Sequence, residues 1–458
     1  MALENLVKEQ SLKQKVMVVL ALAVPAMIEN ILQTVVGFVD TLFVAQLGLT
    51  EVTAVGIANA IIAVYIAIFM AIGIGTSSLI AQNIGAGNIA GAKRVAKQST
   101  IISCITGILF GSLTFFFAEL LLSIMGAEPN VMKEGVTYLR IVGVPSIFIA
   151  LMFIFGSILR ASGDTKTPMK VSLWINILHV GLDFLLIFGI GSFAGWGVAG
   201  AAWATVIVRI IGTGLLFYYV QHSSVSFSWS RQNQGESMMT SILKLSTPAA
   251  AERLFMRVGQ VLYFSLIVHI GTETYAAHTI AGNIETFSYM PGYGLAIAAT
   301  TLVGQCIGSK KYQEAYVYGL LTTGIGVLFM SVIGVFMFIL APWLASWFTT
   351  EASAIKMVTI ALRIDAFAQP ALAVGLILTG ALQGAGDTKT PMYSTAVGMW
   401  VVRIIGIYVL GIKLDMGIAG VWLAIALDIF VRAIFLFWKY HNLFQKFNHS
   451  ISGEKVSK

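Results

Sequence analysis

A hydrophilic hexapeptide, Gly163-Asp164-Thr165-Lys166-Thr167-Pro168, recurs as Gly386-Asp387-Thr388-Lys389-Thr390-Pro391, an offset of 223 residues. Sliding the chain by that offset aligns far more than the loop. Pro25 falls on Pro248, Glu29 on Glu252, Gly48 on Gly271, Ala58 on Ala281, Gln82 on Gln305 and Gly85 on Gly308. Leu139-Arg140-Ile141 falls on Leu362-Arg363-Ile364, and no gap is needed from Pro25 to Met169. A long ungapped internal match means that one structural unit has been used twice.

The material of each unit follows from its polarity. Hydrophobic residues make up 57% of the chain and charged residues 11%, with a mean hydropathy of +0.86. A soluble domain carries about 25% charged residues, so this is an integral membrane protein. Twelve apolar stretches are long enough to cross a bilayer, which takes about 20 helical residues. They cover about 16–44, 52–84, 98–122, 136–159, 170–190 and 196–220, then 245–270, 276–307, 315–340, 357–382, 393–412 and 417–438. The first is too long for a signal-peptide core and lacks a cleavage pattern, so it reads as a retained span. The expected organisation is a six-helix lobe over 1–220, a cytoplasmic linker over 221–243, a second lobe over 244–440 and a cytoplasmic tail over 441–458.

Charge orients the spans. The net charge of +7 is spread over short loops, which suits the positive-inside rule and not nucleic acid. With the N-terminus inside, inner segments hold eighteen Lys and Arg and outer loops only Lys133, Lys356 and Lys413. Both termini are therefore expected in the cytoplasm, in a multi-pass protein of the cell (inner) membrane. Six is an even number, so both halves start on the same side. They form parallel repeats related by a pseudo-two-fold axis along the membrane normal, with a cavity expected between them. In the repeated loop, glycine closes the fourth helix and Thr-Pro restarts the fifth, with threonine as cap and proline at the first position.

Several chemistries drop out. Cys104 and Cys306 lie in apolar runs and form neither a disulfide framework nor a metal motif. No P-loop pattern is present, so ATP is not the energy source. Gly195-Trp196-Gly197-Val198-Ala199-Gly200 fits GxGxxG but has no strand–helix–strand setting; its counterpart Gly417-Ile418-Ala419-Gly420 points to close helix packing. No nucleophile–base or metal-ligand constellation suggests an enzyme, and no cofactor is implied.

The intramembrane polar residues are the functional candidates, because an ionisable group in the bilayer is costly. Glu29, Gln33 and Asp40 share one face of the first helix, being spaced eleven and seven residues from Asp40. The repeat partner of Asp40 is Tyr263, so this acid belongs to one half only. Glu29 keeps its acid in Glu252 and reads as structural. Pro25 removes a mid-helix hydrogen bond, so the first helix is expected to hinge there, below Asp40. Asn176, His179 and Asp183 share a face of the fifth helix, and Thr205 on the sixth is a further cavity-lining candidate. In the second half, Asp428 and Arg432 are four apart and can pair, while Asp365 is expected near the outer, wet end of its helix.

Two six-helix halves, an inner-loop Gly-Asp-Thr-Lys-Thr-Pro in each and an acid late in the first helix resemble the MATE family of multidrug and toxic compound exporters. The resemblance covers essentially the whole chain. It implies a V-shaped pair of bundles and ion-driven efflux of bulky, amphipathic and often cationic drugs by a monomer in the lipid bilayer. In the DinF-like branch, an aspartate on helix one and another on helix five line the N-terminal lobe cavity; Asp40 and Asp183 match those places. His179 stands where relatives have asparagine. The sodium-coupled NorM-like branch has acids deep in helices seven and ten, where this chain has Met256 and Ala373, so protons are expected in preference to sodium. A carboxylate withdrawn from water calls for a positive charge, which a proton or a cationic cargo can supply in turn. The alternative reading is a flippase for lipid-linked precursors, whose anionic cargo calls for arginines such as Arg253, Arg257 and Arg403.

Overall fold

The structure is a computed structural model describing residues 11–191, 193–229 and 237–456. The N-terminal Lys8, the centre of the 221–243 linker with Arg231, and Lys458 lie outside the described residues.

Among the described residues the fold is all-helical apart from one hairpin of two-residue strands. The first half contains α1 (Leu12–Ala45), α2 (Leu49–Gly85), α3 (Ile89–Ile124), α4 (Pro129–Gly143), α5 (Ser146–Ala161), α6 (Lys166–Phe188) and α7 (Val198–Gln221). Strands β1 (Gly189–Ile190) and β2 (Phe193–Ala194) pair antiparallel between α6 and α7. The second half contains α8 (Met239–Ile270), α9 (Thr272–Gly308), α10 (Tyr312–Ser346), α11 (Ala352–Gly384), α12 (Lys389–Lys413) and α13 (Gly417–Val456). Among the described residues eleven helices can each cross a membrane, and α4 with α5, bent by 47°, make a twelfth span. The break falls at Pro145, which has no amide hydrogen to give. Its repeat counterpart is Ala368, and α11 runs through that position unbroken. The helical segment at the end continues through the expected tail as far as Val456.

The chain forms two compact units. One comprises Ile28–Ile80 and Asn88–Ala250; the other comprises Met1–Met27, Ala81–Gly87 and Ala251–Lys458. The divisions fall inside helices, at Met27/Ile28 in α1 and at Ala250/Ala251 in α8, each two residues beyond its repeated proline, Pro25 or Pro248. The first-half unit packs around Val44, Ala58, Tyr65, Leu139 and Val206. The second-half unit has two apolar clusters, one around Trp422 and Ile267, the other around Leu295, Ile377 and Tyr440. Large apolar side chains such as Phe116, Leu328 and Ile434 face outward, as lipid contact demands.

The repeat is visible in atomic detail within the second-half unit. The ends of α2 and α9 approach so closely that a Cβ on Gly85 would strike the backbone of Gln305, and a Cβ on Gly308 the backbone of Gln82. Gly85 and Gly308 are repeat partners, as are Gln82 and Gln305, so each copy makes the contact that the other receives. Small residues let two helix backbones meet in this way.

The repeated loop is built differently from the expected Thr-Pro cap. Gly163 (φ +94°) and Gly386 (φ +90°) take the left-handed conformation that ends a helix. The next helices start at Lys166 and Lys389, ahead of the expected threonine caps. Asp164 does the capping: its carboxylate accepts the Thr167 amide at 3.0 Å and the Thr167 hydroxyl at 2.6 Å. Asp387 repeats this with Thr390 at 2.9 and 2.5 Å. A carboxylate reaches back to the open amides better than a threonine already inside the turn.

Candidate functional site: a buried acid pair in the first-half unit

Helices α1, α6 and α7 bring the site together. The carboxylate oxygens of Asp40 and Asp183 and a ring nitrogen of His179 all lie within 4.8 Å of one another. His179 and Asp183 are four apart on α6, so the helix itself stacks them, with Nε2 to Oδ2 at 3.4 Å. Thr205 of α7 closes the group, its Oγ1 3.3 Å from His179 Nε2 while its hydroxyl donates to the Ala201 carbonyl at 3.0 Å. Asp183 is fully buried. Among the described residues, neither of its oxygens nor Oδ1 of Asp40 has a hydrogen-bond partner. Two adjacent carboxyl groups with three of their four oxygens lacking donors are an arrangement that calls for a bound positive charge.

Other candidates stand elsewhere. The Asn176 amide donates back along α6 to Ser172 at 3.3 Å, and Gln33 is exposed on α1. Helix α1 is continuous through Pro25. Glu29 is held by Arg160 of α5 at 2.9 Å.

Two neighbours were not singled out from the sequence. Tyr138 of α4, 2% exposed, donates to Asn59 of α2 at 3.3 Å and lies in the field of Asp40. Arg209 of α7, one turn beyond Thr205, lies in the electrostatic range of Asp40, Tyr138 and His179. The signal for Arg209 was present: its repeat partner is Arg432, already paired by spacing with Asp428.

The second-half unit corrects one expectation. Asp365 is not at a wet helix end; it is 1% exposed and accepts from Gln369, four residues on, at 2.7 Å. Helix α11 extends a full thirteen residues before it, so the acid lies well inside the packed bundle. Asp428 is fully buried and holds Arg403 and Arg432 at 2.8 Å each. Glu252 accepts from Thr395 at 3.2 Å.

Comparison with known proteins agrees with this architecture. The MatE family matches twice, over residues 25–185 and 248–409, and its two starting points are again 223 residues apart. A probable multidrug resistance protein NorM of Thermotoga maritima is 31% identical over 422 residues, covering 90% of this chain and 89% of that protein. The uncharacterized transporter YisQ of Bacillus subtilis is 28% identical and covers 91% of this chain and 92% of its own. Among solved structures, a MOP superfamily transporter from Pyrococcus furiosus, described as having a binding pocket of reversed polarity, superposes with a TM-score of 0.89 at 25% identity. It covers 94% of this chain and 96% of its own. An outward-facing multidrug resistance MATE family transporter gives the same TM-score and identity. A family match over both halves and a relative of 31% identity along nearly the whole length lead to one conclusion: the chain belongs to the MatE family of multi-pass membrane transporters.

Proposed function

We propose that this transporter is a secondary antiporter of the DinF-like kind, exporting amphipathic, cationic compounds across the cell membrane in exchange for protons. The observation that carries the reading is the Asp40–Asp183 pair, whose buried oxygens lack hydrogen-bond donors. Carboxylates side by side away from water repel each other, and one positive charge relieves that repulsion. A proton and a cationic drug are then alternatives at the same place, which is what antiport requires.

His179 supports the choice of proton. An alkali cation is best held by oxygen ligands, whereas an imidazole nitrogen exchanges protons, and the third group here is an imidazole. Of the second-half arginines that an anionic lipid headgroup would call for, Arg403 is already held by Asp428. Pro25, beside the point where α1 passes from one unit to the other, is the hinge through which occupancy of Asp40 changes cavity shape.

Asp40→Asn carries the protonated form permanently. It should abolish efflux, weaken binding of a cationic probe and remove the pH dependence of that binding, while the protein still folds. Asp183→Asn should act in the same direction. Counterflow in proteoliposomes against an imposed pH or sodium gradient measures this. Wild-type proton-driven efflux by Asp40→Asn refutes the reading, and efflux driven by sodium alone replaces the proton.

A further inference from the structure

The repeat exposes an asymmetry in buried charge. Arg209 and Arg432 occupy the same position in the two halves. Arg432 is held at 2.8 Å by Asp428, four residues earlier on α13. The position four before Arg209 is Thr205, whose hydroxyl is committed to Ala201 and His179. The first half has thus kept the arginine and lost the acid that holds it. Nη1 of Arg209 is buried with no hydrogen-bond partner among the described residues. A buried guanidinium without a local carboxylate is strongly destabilising, so its charge must be met by acids from other helices.

The ionisable groups whose charge reaches it are Asp40 from α1, Tyr138 from α4 and His179 from α6, and Asp183 of α6 lies against Asp40 and His179. Only the two aspartates bring negative charge. Two carboxylates against one guanidinium leave the cluster, with a neutral imidazole, one positive charge short. A dication would overshoot that deficit and a neutral molecule would leave it open.

We propose that Arg209 is the built-in counter-cation of the Asp40–Asp183 pair, so that the site is completed by a single positive charge. This rests on the reading of the pair as the cation site. Arg209 touches neither drug nor proton in this scheme; it is a positioning residue that sets how much charge the site accepts and lowers its hold on each cation. Without it the pair would bind its cation too tightly to release it, and the alternation between proton and cargo would stall.

Charge counting makes the test specific. The probe is tetraphenylphosphonium, a monovalent lipophilic cation, bound at equilibrium to the purified full-length chain in detergent, with thermal unfolding recorded for every variant. Arg209→Met should tighten binding about tenfold, a typical size for coupling between neighbouring sites. Arg209→Lys, which keeps the charge, should stay near the wild-type affinity. Asp40→Asn should weaken binding, and the double variant Asp40→Asn/Arg209→Met, which restores the original charge, should recover it. If Asp40→Asn binds the probe as the wild type does, the cation-site reading itself falls. If Asp40→Asn is weak but Arg209→Met does not tighten binding, or the double variant does not recover, Arg209 is a packing residue and this proposal is overturned. Should Arg209→Met alone fail to fold, the charge-balanced double variant still decides.

Discussion

Asp40, part-buried, and Asp428, fully buried, are both acids within the spans, and their partners separate their roles. Asp428 holds two arginines at 2.8 Å, so its charge is already met. Asp40 has a bare oxygen and a second aspartate nearby. Removing Asp428 strands Arg403 and Arg432 in the packed bundle, and breaking such a buried group costs about 3–5 kcal/mol. Asp428→Ala should therefore lower the thermal unfolding temperature in detergent sharply. Asp40→Asn should lower that temperature far less, because the isosteric amide keeps the shape and Asp40, unlike Asp428, holds no arginine in a close ion pair. Equal losses of stability in the two variants would contradict this division of labour. Spacing had already suggested the Asp428–Arg432 pair, since four residues on a helix is a contact distance. Arg403 as its second partner comes from another helix and had no such signal.

At the level of the helix, Pro25 and Pro145 show two outcomes of the same residue. Pro145 ends one helix and starts another at 47°, while α1 continues through Pro25. The difference lies in the surroundings: beside Pro145 the Gly143 carbonyl accepts the Ser146 hydroxyl, whereas residues on both sides of Pro25 keep the helical ladder. A continuous helix that lacks one hydrogen bond is easily bent at that point. Pro25→Ala restores the bond and should stiffen α1. Net efflux in proteoliposomes is then expected to fall several-fold, with equilibrium binding of a cationic probe little altered. Transport at the wild-type rate would make the proline purely structural. The repeated loop carries a related lesson: the glycine stop was readable from sequence, but the helix start was set by Asp164 and Asp387, whose carboxylates reach Thr167 and Thr390.

For the whole molecule, the bias of eighteen inner to three outer basic residues makes a directional statement that labelling can check. The segment between the halves should face the cytoplasm. Ser224 is exposed, and Cys104 and Cys306 are the two cysteines to be replaced first. A cysteine placed at Ser224 should resist an impermeant thiol reagent in intact cells and react once the membrane is opened. Strong labelling from outside would invert the topology. The arrangement of six spans per half leaves no freedom here, because inverting one terminus inverts every loop.

Repetition, hydropathy and loop charge are properties summed along the chain, and they carried the class, the doubling and the span count. A period of 223 residues survives any uncertainty at single positions, and eighteen-residue apolar windows average over local exceptions. The first-half acid pair was half legible: each acid stood out as costly in a bilayer, and helical spacing put His179 and Asp183 on one face. Their meeting with Asp40, and the presence of Arg209 and Tyr138 beside them, was decided only by packing α1, α4, α6 and α7 together. So was the burial of Asp365. Asp40 meets Asp183 and Arg209 across well over a hundred positions of chain, and no local pattern records a contact of that kind.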